Sequence, residues 1–294
     1  MGLNKGGLRI LIREHKKKRF EEPILTLGRE CVYATVDEIK KILVSEGLKP
    51  ADIDPNLSLI TNIPDWQNTP KAKYTSDVVF FNLMGIKEIY ALDISDYEKP
   101  DYMWDINIPI PIDMENRFGI VIDSGTMEHI FDVRSAFANI FRLLKIGGRI
   151  IHMSPASNYI GHSLYQFTPG LFYDYYNANK FTDLRCFIME HSVRKPERIA
   201  SKLYKCGASN YNCLFISSKR LAVIFHAEKT PSSTYNVIPY QGVIGDAQSE
   251  SPVSSLKFQR IKKFVPLFIW RFVRSVVYLR FRNKAKVYEY IGKI

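Results

Sequence analysis

Cysteine is scarce: Cys31, Cys186, Cys206 and Cys213 are the only four in 294 residues. None forms a Cys-x-x-Cys pair, and none has metal-ligand spacing, which excludes a disulfide scaffold and a zinc ribbon and suits free thiols in a reducing compartment. The histidines add no metal signal, since "NYIGHSLYQF" holds no His-x-x-x-His pair, and no metal is expected. A secretory leader is not visible, because the N-terminus is charged and lacks an apolar run. There is no stretch of about 20 apolar residues of the kind that crosses a membrane. The longest candidate, "FVPLFIWRFV", is cut by Pro266 and Arg271. A cytoplasmic location is the expectation. Acidic residues are missing from one region: Lys257 to Lys286 carries ten Lys/Arg and no Asp or Glu. Met1 to Arg19 carries seven Lys/Arg and one Glu. The net charge of +11 therefore sits at two ends of a slightly acidic body. A nucleic-acid partner would rest on those ends alone and is not the expected one.

What is present is a large apolar complement, 46% hydrophobic and 13% aromatic, enough for one sizeable core. Strand and helix patterns alternate. "ILTL" reads as a first strand. Thr35 and Glu38 make a capping box before "VDEIKKILVSEG", with Gly47 as the stop. Ser76 or Asp77 caps "VVFFNLMG", which Gly85 ends. "EIYALDIS" is a second strand closing on Asp93. "FGIVIDSG" is a third, closing on Asp123. "SAFANIFRLLKIGG" has helical apolar spacing and is expected to run to the Gly147-Gly148 pair. "RIIHMSP", "LRCFIMEHSV", "YNCLFIS" and "RLAVIFHAE" read as further strands, the last two as an antiparallel hairpin at the sheet edge. The expected fold class is α/β: a Rossmann-like, mostly parallel sheet with helices on both faces, that edge hairpin, and a basic helical tail. The expected units are a basic arm over residues 1–21, in which Leu8 to Phe20 reads as a short basic helix or arm, the α/β body over 22–230, a Ser/Pro/Gly-rich linker over 231–255, and a basic amphipathic tail over 256–294.

In an open parallel sheet, ligands sit outside the carboxyl ends of the strands, near the switch in strand order. Four segments end there with polar or small residues: Gly28-Arg29-Glu30, Asp93-Ile94-Ser95, Asp105 (with Ile106 beside it), and Asp123-Ser124-Gly125-Thr126. A carboxylate after the second strand suits the two hydroxyls of a ribose.

With these segments in place, the sequence resembles class I S-adenosylmethionine-dependent methyltransferases. The stretch "FGIVIDSGTMEHIFDVRSAFANIFRLLKIGGRIIHMSP" is similar to that family's fourth strand, "LEH"-type turn, helix and fifth-strand corner, with Ile146 where a proline is usual. "IYALDIS" resembles its second strand, which implies Asp93 as the ribose acid. "WDINIPIP" resembles its third-strand region, which implies Asp105 near adenine. Within the family, "LTLGR", "ALDISDYE", "GTMEH" and "YQF" are similar to a bacterial group associated with surface-polysaccharide genes. The resemblance implies S-adenosylmethionine as cofactor and a small-molecule, sugar or lipid-linked glycan acceptor.

The first loop departs from the family. One glycine, Gly28, remains of Gly-x-Gly-x-Gly, and Thr26 stands where an acid is usual. Asp105 follows Asp93 by only about 12 residues, too few for an intervening helix. Arg29 suits the cofactor's carboxylate, a block in the pocket, or a structural Asp. Asp105 also fits a local Asx turn, and Asp123 also fits capping of the turn after it. Glu128 and His129 are the candidate catalytic pair, His129 as a base near the acceptor or as a residue that holds the loop. His152 reads as a satisfied core histidine. His162, Tyr165 and Gln166 are candidate acceptor contacts, against a satellite hydrophobic cluster. The tail, with Ile261, Val265, Phe268, Phe272, Val276 and Leu279 near helical spacing, suits an anionic membrane surface, the body of the protein or a second subunit. A degenerate, non-catalytic domain of the same fold is the alternative.

Overall fold

A computed structural model describes residues 2–54, 57, 75–192, 200–207, 215–241 and 288–294. Its centre is a nine-stranded sheet. In chain order the strands are β2 (Ile24–Leu27), β5 (Ile89–Asp93), β6 (Tyr102–Met103), β7 (Phe118–Asp123), β8 (Leu144–Ser157), β9 (Thr182–His191), β10 (Lys202–Cys206), β11 (Arg220–Glu228) and β12 (Tyr288–Lys293). Across the sheet they run β12-β10-β9-β11-β8-β7-β2-β5-β6. β6, β5, β2, β7 and β8 are mutually parallel. The chain builds outward from β2 to β5 and β6, then returns to add β7 and β8 on the other side. The order therefore reverses between β2 and β7, which puts the switch point there. A second, three-stranded sheet joins β1 (Gly2–Leu3), β3 (Cys31–Val32) and β4 (Thr75–Ser76).

The parallel strands are buried on both faces, so they read as continuous apolar runs rather than alternations. Ile24, Ile120, Ile122 and Ile151 face one core with α1 (Lys5–Lys17), α2 (Val36–Ser45) and α3 (Asp77–Leu83). Leu25, Leu27, Val121 and Ile150 face the other with α4 (Val133–Leu143) and α5 (Pro169–Ala178). The helix starts are those of the sequence. Thr35 and Glu38 form the reciprocal capping box of α2, and Ser76 Oγ accepts from the Val79 amide at the start of α3. Each such cap is worth about 1 kcal/mol. Gly47 and Gly85 leave α2 and α3 at φ +72° and +82°.

Several expectations are corrected. The N-terminal stretch is the helix α1, as one of its two readings expected, and it is not a separate arm: Leu8, Leu11 and Ile12 are fully buried in the first core. Its charges are used locally: Arg9 and Arg13 both reach Glu46, at 2.5 and 2.8 Å. α4 ends at Leu143, before the glycine pair, because β8 starts at Leu144 and runs straight through Gly147-Gly148. The antiparallel part is larger than an edge hairpin. β11 lies inside the sheet, antiparallel to both β8 and β9, and β10 and β12 extend the edge. Residues 215–217 are not strand, and the rest of that candidate lies outside the described residues. Tyr288–Lys293, expected within a helical tail, is a strand on β10. The start of the linker is tied down, with Asn179 Nδ2 donating to Val237 O and Tyr175 Oη donating to Tyr235 O. The basic tail up to residue 287, with Cys213, lies outside the described residues. No helix among the described residues is long and apolar enough to cross a membrane.

Candidate functional site

Two cavities open at the carboxyl ends of the parallel strands. The first, of about 420 Å³, has walls from Leu27 and Gly28 after β2, Asp93 and Ile94 after β5, and Trp104 to Asn107 after β6. Thr126, His129 and Ile130 from the turn after β7 complete it. The second, of about 480 Å³, lies under the N-terminal segment and takes Gly2, Asn4 and Gly7 from it. Its other walls include Tyr33, Ser124, Gly125, Glu128, Tyr159, His162, His191 and Arg220. Glu98 and His129 line both cavities, so the two meet there.

Gly28 is the turn residue of the first cleft. It has φ +80°, a conformation that favours glycine, and a Cβ on it would meet Thr126 Oγ1 at 3.4 Å and Asp93 Oδ2 at 3.6 Å. Thr126 Oγ1 donates to Leu27 O at 2.5 Å, which pins the β7 turn against the end of β2. Asp93 Oδ1 accepts from the Ser95 amide at 3.0 Å and hydroxyl at 3.3 Å. Asp93 Oδ2 has no hydrogen bond among the described residues and lies over Gly28. Asp105 Oδ1 accepts from the Asn107 amide at 2.9 Å and side chain at 2.7 Å, an Asx turn, while its carboxylate still lines the cleft. Ile94 and Ile106 supply apolar wall, and Trp104 Nε1 is a buried donor with no partner among the described residues.

The structure takes other candidates out of the walls. Arg29 turns away: its Nη2 is 2.6 Å from Asp101 and its Nη1 is 3.6 Å from the buried Asp77. Of the three orientations open in the sequence, it adopts the structural ion pair, because Asp77 is buried and needs a cation beside it. Glu30 is also buried, and accepts from Ser124 Oγ. Asp123 is fully buried, with Oδ1 accepting from the Thr126 and Met127 amides at 2.9 and 3.1 Å and Oδ2 2.7 Å from His152 Nδ1. It caps the turn and lines neither cavity. His152 is the satisfied core histidine expected, with Nε2 2.6 Å from Tyr176 Oη. Ser95 lines neither cavity, and its role is to hold Asp93.

Tyr165 and Gln166 also leave the walls. Tyr165 Oη donates to Phe131 O at 3.0 Å, its amide donates to Glu128 O at 3.1 Å, and Gln166 Oε1 accepts from the Tyr159 amide. They tie the loop after β8 to the β7 turn. His162 alone of the three lines a cavity. The sequence reading missed Asn4, Tyr33, Glu98, Tyr159, His191 and Arg220. Asn4 carried a signal as the N-cap of α1, accepting from the Gly7 amide. Glu98 and Arg220 carried none, since charges on loops and strand starts are ordinary.

The turn is electrostatically unusual. Burial pushes the Glu128 carboxyl up to about 8, with the charge of Asp123 adding to it. Burial likewise pushes Glu30 up to about 8, although the Ser124 hydroxyl works against it. For Asp123 burial is also the largest influence, but the His152 hydrogen bond and charge and the two amides hold its carboxyl below the usual range. Burial lowers His129 and His162, helped by each other's neighbours: His162 acts on His129 and Arg220 on His162. Burial and then Arg220 push His191 down to about 4.

Glu30 makes a test with a definite sign. A carboxyl raised from 4.5 to about 8 keeps in the folded state a proton that the unfolded chain loses, so stability falls as pH rises across that window. Glu30→Gln removes this loss. Melting curves should show the variant gaining on the wild type between about pH 5 and about pH 9. A gap that does not change with pH would mean that Glu30 is ionised throughout.

No family model matches the chain, and no curated protein matches it. Among solved structures it is similar to S-adenosylmethionine-dependent methyltransferases. One is an enzyme from Archaeoglobus fulgidus, 12% identical, with TM-score 0.38, over 77% of this chain and 95% of that one. Another is from Thermotoga maritima, 11% identical, with TM-score 0.36, over 75% and 89%. A third is the 1,6-didemethyltoxoflavin-N1-methyltransferase of Burkholderia thailandensis, solved with S-adenosylhomocysteine, 13% identical, with TM-score 0.37, over 77% and 78%. The chain itself is a mixed α/β protein with its cleft at the switch point of the sheet.

Proposed function

We propose that the protein is an S-adenosylmethionine-dependent methyltransferase whose acceptor is a sugar or lipid-linked glycan intermediate, of the kind used in bacterial surface polysaccharide. The observation that carries this reading is the meeting of the two cavities at Glu98 and His129. One cavity suits a nucleoside and the other a polar acceptor.

The residues of the first cleft fit the cofactor. Gly28 leaves open space where a side chain would project between Asp93 and Thr126. Asp93 Oδ2 is available for ribose hydroxyls, and a carboxylate oxygen can accept two such bonds. Ile94, Ile106 and Ile130 form apolar walls for the adenine ring, and the Asp105 carboxylate can accept from its amino group. S-adenosylmethionine, when bound, supplies an electrophilic methyl group on a sulfonium. The chain's task is then to hold an acceptor oxygen or nitrogen in line with that methyl. His129, at the junction and with no side-chain hydrogen bond among the described residues, is placed to take the acceptor's proton. In the second cavity, Tyr159 presents a ring with the Arg220 guanidinium 4.9 Å from its centre, and its Oη is 2.7 Å from His191 Nε2. Aromatic faces beside polar groups suit a sugar.

One observation favours the degenerate alternative. Arg29 is held by Asp101 and Asp77, and Glu30 by Ser124, so the first loop offers no free charge to the methionine end of the cofactor. Titration of the purified protein with S-adenosylhomocysteine by calorimetry decides between the two. The methyltransferase reading expects one site with a Kd in the range of about 1–100 μM. No heat at about 1 mM ligand leaves the degenerate domain standing.

A further inference from the structure

We infer that Glu128, His129 and His162 form a binding site for a divalent first-row transition-metal cation, at the junction of the two cavities. One carboxylate oxygen of Glu128 and one nitrogen from each imidazole lie within 4.8 Å of one another. The Glu128 Oε1 to His162 Nε2 distance is 3.8 Å, and the two rings pack edge to face at 5.4 Å between centres. Ligands about 2.0–2.2 Å from one cation sit roughly 3 Å apart. The two imidazoles are exposed, so their side chains have room to turn toward a common ion.

The second observation is the carboxylate itself. Glu128 is 1% exposed; its Oε1 faces His162, and its Oε2, on the same buried carboxyl, has no partner among the described residues. A buried oxygen of this kind carries a full desolvation penalty unless something binds it. No arginine or lysine is placed on it: its only ion-pair neighbour among the described residues is His162. The site is also held in place from outside. The Tyr165 amide donates to Glu128 O, the His162 amide donates to Tyr159 O, and Tyr165 Oη donates to Phe131 O. These bonds bring a histidine 34 residues along the chain from Glu128 onto the same spot. They give Tyr165, which lines neither cavity, a positioning role.

The donor set points to the metal class. Two imidazoles and one carboxylate suit Zn²⁺, Fe²⁺, Co²⁺ or Mn²⁺ and not the all-oxygen preference of Mg²⁺ or Ca²⁺. Three protein ligands leave coordination positions open toward the second cavity. If the methyl-transfer reading holds, on which this clause alone rests, those positions select an acceptor that presents an oxygen to the cation. His129 then serves as a ligand in place of a base.

Co²⁺ is the probe, because its visible absorption reports imidazole and carboxylate coordination directly. Full-length protein stripped with EDTA is titrated with Co²⁺ by absorption and calorimetry, beside His162→Ala and Glu128→Gln. Unchanged circular dichroism shows that the variants fold, the first being an exposed site and the second an isosteric change. The expected result is one Co²⁺ per wild-type chain with a visible absorption band that saturates at that ratio, and affinity lower by roughly tenfold or more in each variant. No binding up to about 1 mM, or equal binding by all three proteins, overturns the site. S-adenosylhomocysteine added to the same wild-type sample reads the cleft separately. Co²⁺ binding without it supports the metal site while the methyl-transfer reading fails.

Discussion

Asp123→Ala is expected to lower the melting temperature by about 10 °C, the largest stability effect of any single change near the site. The carboxylate is fully buried and satisfies four groups at once: the Thr126 and Met127 amides, the His152 imidazole and, at 3.4 Å, the Ser154 hydroxyl. Its removal takes the acceptor from two amides, a ring nitrogen and a hydroxyl. Each buried donor left without its acceptor costs about 1–3 kcal/mol, and a domain of this size loses about 2–4 °C per kcal/mol. The damage is local in origin, because those amides start the turn that carries Thr126, Glu128 and His129. Asp123→Asn should be milder, since an amide oxygen still accepts from the two backbone N–H groups. Differential scanning calorimetry of the three proteins checks the order. If alanine costs no more than about 1 kcal/mol, the turn is held by other contacts.

Asp93→Ala is expected to weaken S-adenosylhomocysteine about 10- to 100-fold while leaving the melting temperature nearly unchanged. Hydrogen bonds to a charged group are worth about 1.5–3 kcal/mol, and 1.4 kcal/mol is a factor of ten. Fold and affinity separate here because of where the residue sits. Asp93 is half-buried, and among the described residues it is bonded only to Ser95, two residues on. Its second oxygen faces the cleft over Gly28. Calorimetric titration beside the wild type reads the effect. Equal affinity would show that the ribose lies elsewhere, and would remove the main support for a nucleoside in this cleft.

These two aspartates show how far a sequence carries. Both end a buried strand, both precede a serine within two residues, and both were candidates for cofactor contact. The structure gives one of them to the cleft and the other to a histidine 29 residues away. Nothing near Asp123 in the chain announces His152, because the pair is made by β7 and β8 lying side by side in the sheet. The same holds for Arg29. Its neighbours in sequence suggested a ligand loop, but its partners are Asp77 and Asp101, brought in by α3 and by the segment before β6.

What the sequence determined by itself is what short-range chemistry controls. Apolar runs of strand length, capping residues one turn apart and glycines at positive φ are read within a few residues, so β2, β5, β7 and the starts of α2 and α3 fall where the pattern puts them. The strand ends that line the first cleft follow from them. Tertiary structure alone decided the rest. It put β11 inside the sheet, made α1 part of the core, and laid residues 2–7 along the second cavity. It also chose which charges are buried in ion pairs and which face a cavity, and it brought His162 to Glu128 and His129. The physical reason is that burying a charge is costly unless a partner is near, and the partners here are dozens of residues apart. Which acid meets which cation is settled only when the sheet assembles.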